Sequence, residues 1–134
     1  MNKTTTVRAE FIVSKEAIFP LSEFTDRLEI KPIRSYNLGD RIKDLDLYRK
    51  ISCWCVGTLD EESFDINNQL SQLIVILGAK QQVLIDLKKE FEVDYVISIT
   101  IDIEQKRKPA IYLEPKTIEF LYNIKAEIDI DVSG

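Results

Sequence analysis

No histidine occurs anywhere in the 134 residues. That single absence excludes Ser-His-Asp and Cys-His nucleophile pairs, imidazole acid–base chemistry and most catalytic zinc sites. Cysteine is nearly as scarce. Two thiols, Cys53 and Cys55, are too few for a disulfide scaffold or a tetrahedral thiolate site. The longest apolar run, "LIVILGA" from Leu73 to Ala79, is far short of the roughly 20 residues a membrane span requires. Positive charge is also in deficit. The net charge is −5 and the pI about 4.8, which argues against an electrostatic grip on nucleic acid or anionic lipid. The opening "MNKTTTVRAEFIV" has no central hydrophobic block of the secretory kind, so the expected compartment is the cytoplasm.

What remains is an ordinary globular composition, 45% apolar and 31% charged. No linker, repeat or low-complexity stretch divides the chain, and residues 1–134 are read as one domain. Alternation of period two marks three strands. In "TTVRAEFIV", Thr5, Val7, Ala9, Phe11 and Val13 face inward while Thr6, Arg8 and Glu10 face out. In "VDYVISITIDI", Val93 to Ile103 supplies an apolar odd-numbered face opposite Asp94, Ser98, Thr100 and Asp102. In "AEIDIDV", Ile128, Ile130 and Val132 oppose Glu127, Asp129 and Asp131. "ISCWCVG" reads as a central strand, apolar on both faces, and "AIYL" (110–113) as a short strand in a hairpin with 93–103. The basic run "QKRKP" (105–109) reads as that hairpin's solvated turn.

Helical spacing lies between the strands. Ile66, Leu70, Leu73, Ile74 and Leu77 form a stripe with Asp65 as N-cap and Gly78 at its end. Val83, Leu84, Leu87 and Phe91 form a second stripe. Pro115 opens a helix with Ile118, Leu121 and Tyr122 inward, and Ser22 caps a short helix over 21–28 that precedes a loop. The pattern predicts a two-layer α+β domain, a mostly antiparallel sheet of about five strands with helices on one face.

Three candidate sites follow. In an extended strand Cys53 and Cys55 share a face about 6.5–7 Å apart, too far for an unbent disulfide. Without a histidine no base is at hand to make either one a nucleophile. Both are expected to be buried, reduced and metal-free. Asp129 and Asp131, with Asp94 and Asp102, could hold a hard cation if neighbouring strands converge them, or could form a solvated face that opposes aggregation, or bind a basic protein. Tyr36 and Trp54, with Asp40 nearby, could line a cleft where a loop crosses the sheet.

The segment "LEIKPIRSYNLGD" (28–40) carries Pro32, Ser35, Tyr36, Gly39 and Asp40. With the strand of Trp54, then "DINNQLSQLIVIL", then a last helix running into "AEIDIDV", it resembles the bacterial domain-of-unknown-function family 4279 (DUF4279) over nearly the whole chain. Tyr36 stands where that family commonly has tryptophan, Lys125 where a glycine usually ends the last helix, and Val132 where an aromatic often closes the chain. The resemblance implies a bacterial cytoplasmic α+β domain and assigns no activity and no catalytic residue. The leading expectation is a non-catalytic protein-binding domain without cofactor, its acidic surface facing a basic partner, in one version an immunity-type protein against a basic toxin. The alternative is a small-ligand-binding or carboxylate-dependent enzyme domain built on Asp40, Asp129 or Asp131. Neither nucleic acid nor membrane is an expected partner.

Overall fold

The computed structural model describes residues 3–134. Its elements, in chain order, are β1 (Thr6–Lys15), α1 (Leu21–Leu28), β2 (Arg34–Tyr36), β3 (Ser52–Gly57), β4 (Glu61–Glu62), α2 (Asn67–Gly78), α3 (Gln81–Phe91), β5 (Asp94–Asp102), α4 (Pro115–Asn123) and β6 (Ala126–Ser133). One six-stranded sheet runs β2-β3-β1-β5-β6, with the short β4 beside the start of β1. All pairings are antiparallel except β5–β6, which α4 connects as a parallel crossover. The α+β sheet-and-helix architecture expected from the periodicity is the one observed; it has six strands because β2 and β4, too short to show as alternation, are added and the expected strand at 110–113 is absent.

The helices cover one face. Val7, Ala9, Phe11 and Val13 of β1 and Tyr95, Ile97, Ile99 and Ile101 of β5 are paired in register and sealed beneath them. The predicted stripes meet them through Leu70, Leu73 and Leu77 of α2 and Leu84 and Leu87 of α3. Trp54 belongs to this layer. Its Nε1–H donates to Thr25 Oγ1 of α1 at 3.0 Å, and its ring lies 6.2 Å from that of Phe24. The buried Tyr95 hydroxyl donates to the Leu84 carbonyl at 2.6 Å, so the polar tip of a core aromatic is satisfied within the helix layer.

Several local expectations are corrected. "AIYL" is not a strand: β5 already has β1 on one side and β6 on the other, so no edge is open for a hairpin partner. Ala110 makes one isolated bridge to Asp65, and Ile111 and Tyr112 are exposed. The basic run is still a solvated turn, with positive φ at Gln105 and Lys106 and Arg107 N–H donating to the Glu104 carbonyl. Helix α4 buries Thr117, Phe120 and Leu121, whereas Ile118 and Tyr122 are 52% and 68% exposed. The stripe through Phe120 and Ile124 shares Leu121 with the one expected and buries an additional aromatic ring. Ser22 caps nothing, because α1 already begins at Leu21 behind Pro20. Asp65 stands one residue before the N-cap position, which Ile66 occupies, and its carboxylate accepts the N–H of Asn67 at 2.9 Å. The loop expected after the helix over 21–28 contains β2, which pairs with β3.

Candidate functional site

The opposite face of the sheet carries no helix. Register fixes its rows. Tyr36, Cys53, Ser14 and Asp94 form one row, and Arg34, Cys55, Ile12, Val96 and Glu127 the next. Glu10, Ser98 and Asp129 follow, and then Arg8, Thr100 and Asp131. Side chains directly opposite on neighbouring strands share a face and touch, so these rows describe the surface itself.

At the β2–β3–β1 end the face is closed by an ion pair that the alternation pattern does not reveal. Glu10 was expected to face solvent, yet it is 7% exposed. It lies opposite Gly57, where an added Cβ would come within 2.7 Å of the Ala9 carbonyl and 2.8 Å of Glu10 Cγ. The missing side chain at Gly57 lets Glu10 lie flat across β3 and reach β2. There both terminal Arg34 nitrogens donate to it, Nη1 to Oε2 at 2.8 Å and Nη2 to Oε1 at 3.2 Å. This forked geometry is the strong form of a carboxylate contact. The Arg34 hydrogen bond, above all, holds the Glu10 carboxyl below its ordinary value, and the guanidinium is raised in return.

Cys55 lies under this pair and Cys53 beside it, both buried and both free thiols. Burial first, then the negative charge of Glu10, pushes the Cys55 thiol up to about 12. Burial raises Cys53 as well. Thiols held protonated in this way are poor nucleophiles. "CWC" is therefore a strand that carries sulfur, with its tryptophan in the helix layer and its cysteines beneath an ion pair.

The expected site residues do not assemble. Tyr36 is on the helix-free face and Trp54 on the other. The Arg49 guanidinium stacks 3.9 Å from the centre of the Tyr36 ring, a cation–π contact closing the long β2–β3 connection. Asp40 staples the same connection: its carboxylate accepts the Asn37 N–H at 2.7 Å and its carbonyl accepts the Arg49 N–H at 2.8 Å. Asp129 and Asp131 lie at the far edge on β6, with β3, β1 and β5 between them and β2. Tyr36, Asp40, Trp54 and these aspartates are thus dispersed over both faces and opposite edges of the sheet.

What the structure does bring together is the acidic set. β5 and β6 are neighbours, and Asp94, Asp102, Glu127, Asp129 and Asp131 project from the same helix-free side, all exposed. Among the described residues none of them takes part in an ion pair; Arg8, the cation nearest in register to Asp131, is bound instead to Asp60 at 3.3 Å. No three Asp, Glu or Cys side chains among the described residues converge in a metal-binding group. A separate cavity of about 450 Å³ lies on the helix side, lined by Ile85, Lys88, Lys89, Asn123, Ile124 and Lys125. No single helix among the described residues is long and apolar enough to cross a membrane.

No curated protein and no solved structure matches this chain. A family model does. "Domain of unknown function (DUF4279)" aligns with residues 4–134, from the start of β1 through the acidic edge strand, and the chain belongs to that family.

Proposed function

We propose that this domain is a non-catalytic bacterial protein of the cytoplasm that binds a basic protein through the helix-free, acidic β5–β6 side of its sheet. The observation that carries the reading is that Asp94, Asp102, Glu127, Asp129 and Asp131 have no ion-pair partner among the described residues on one exposed surface, next to a half of the same face where Glu10 is paired and covered. Unpaired like charges repel one another and are relieved by a partner of opposite sign, which also steers its approach. An immunity-type protein neutralising a basic toxin is one form such a binder takes. The raised thiol pKa values and the dispersal of Tyr36, Asp40 and Trp54 favour binding over catalysis.

The alternative of a small-ligand domain draws support from one feature, the lysine-rimmed cavity between α3 and α4. That cavity contains none of the carboxylates on which the alternative was built. Recovery of the partner by pull-down from the native host, followed by association kinetics against ionic strength, tests the main reading. The Asp129→Lys/Asp131→Lys variant should associate more slowly, and wild-type association should slow as salt rises. A rate unchanged by both the substitutions and salt would reject the acidic face as the binding surface.

A further inference from the structure

Among the described residues, β6 is the last strand of the sheet and bonds on one side only, to β5. In an extended strand the amide and carbonyl of one residue point to the same side, and successive residues alternate. The Ser133 carbonyl accepts the Ile103 N–H at 2.8 Å, and the register pairs Asp102 with Ser133. The odd-numbered residues Glu127, Asp129 and Asp131 therefore supply the ladder to β5. The amides and carbonyls of Ile128, Ile130 and Val132 point away from the sheet. Their side chains form an apolar row on the helix side, and Ile130 and Val132 are 37% and 48% exposed.

A flat edge of this length invites pairing, and proteins ordinarily blunt such edges with lysine, proline, a bulge or a covering element. Between Ala126 and Ser133 there is no lysine and no proline, and no other strand covers the edge among the described residues. The one guard is the acidic row, and it discriminates. A symmetric dimer through this edge would pair β6 antiparallel to itself, outward residue opposite outward residue. Carboxylates would then stand beside carboxylates, which is unfavourable. A strand bearing cations at alternate positions would set opposite charges side by side.

We propose that the β6 edge takes an extended basic segment of a partner protein by strand addition, with Lys or Arg over Glu127, Asp129 and Asp131 and apolar residues beside Ile128, Ile130 and Val132. Main-chain hydrogen bonds supply affinity and the alternate side chains supply selectivity. This inference rests on the acidic-face reading above and specifies how that face is used.

The test uses the full chain and a synthetic eight-residue peptide of alternating lysine and valine, with amide hydrogen exchange read by NMR. Exchange at Ile128, Ile130 and Val132 should slow on the order of tenfold or more on binding, while the β5-bonded amides of Asp129 and Asp131 change little. The same peptide N-methylated on its β6-facing amides should lose binding, and an alternating glutamate–valine peptide should not bind. Ile130→Pro removes an outward N–H without touching the β5 ladder and should abolish binding; should that variant fail to fold, the N-methylated peptide decides alone. Equal binding of the methylated peptide, with exchange unchanged, overturns strand addition and leaves the acidic face as a binder by side chains only. Equal binding of the glutamate peptide removes the charge basis of both readings. No binding of the lysine–valine peptide also overturns the inference, as does a dimer in sedimentation whose even-numbered β6 amides are already protected.

Discussion

The two halves of the helix-free sheet face solve the same problem in opposite ways. Around β2, β3 and β1 charge is used to seal. Glu10 and Arg34 are locked in a fork over Cys55, and Arg49 stacks on Tyr36. Around β5 and β6 charge is left unneutralised, with Glu127, Asp129 and Asp131 exposed on a free edge. The backbone is equally regular in both halves. The difference comes from one glycine, which creates room for an ion pair at one end, and from the lack of any cation in β6 at the other. A sheet surface without helices is thus made structural or available by a few side chains.

Substitutions can break this contrast, in descending order of effect. Ile99→Ala removes a fully buried side chain beneath the sheet, between the two halves, and should cost about 2–5 kcal/mol in chemical denaturation. A loss below about 0.5 kcal/mol would mean that β5 presents its other face to the core. Gly57→Ala drives a Cβ into the Ala9 carbonyl and the Glu10 side chain and should cost about 1–3 kcal/mol. It should also speed the reaction of Cys55 with a thiol reagent by displacing the lid above it.

Glu10→Gln should cost about 1–2 kcal/mol at neutral pH. That is less than for a fully buried pair, because the Arg34 side chain is 44% exposed. The sign of its pH dependence follows from the lowered carboxyl. A depressed folded-state value contributes stability that is complete above the unfolded value and is lost as pH falls through the folded one. Wild-type stability should therefore contain a component that disappears below about pH 4.5, the ordinary value for this carboxyl, and the component should be missing in the variant. Urea titrations at a series of pH values measure it. The smallest change belongs to the open half: Asp129→Lys/Asp131→Lys should alter stability by less than about 0.5 kcal/mol, since neither aspartate is paired. A larger loss would show that the acidic edge is structural after all.

The sequence made the long elements legible because each has a strong, uninterrupted period. Val93 to Ile103 and Thr5 to Val13 could face only one way, and the Leu70–Leu77 stripe could be only a helix. Short or ambiguous segments were not legible. Ile118 and Phe120 both fit stripes through Leu121, and only the packing of α4 decides between them. "AIYL" alternates like a strand, but a strand needs a free edge, and the use of both edges of β5 is a property of the whole topology. The closed half was hidden for a related reason. Glu10, Arg34 and Gly57 are far apart in the chain, and a lone glycine at the end of the tryptophan-bearing strand was the sole local sign of a close approach. Asp129 and Asp131 could be assigned to one face by counting, whereas their sharing that face with Asp94 and Asp102 depended on β6 lying beside β5 and on the register of that pairing.

The position of β1 has a consequence for how the chain reaches this state. It lies at the middle of the sheet, yet its partner β5 follows about eighty residues later. Non-local pairing of this kind requires a large loop to close before any contact is gained, which slows folding. At typical synthesis rates the ribosome would hold β1 for of order ten seconds before β5 is made. During that interval the row from Val7 to Val13 has only the shorter β3, β4 and the first helices to shelter it. The nascent chain is then at its stickiest, and a holding chaperone would meet its substrate in the interval between the synthesis of β3 and that of β5.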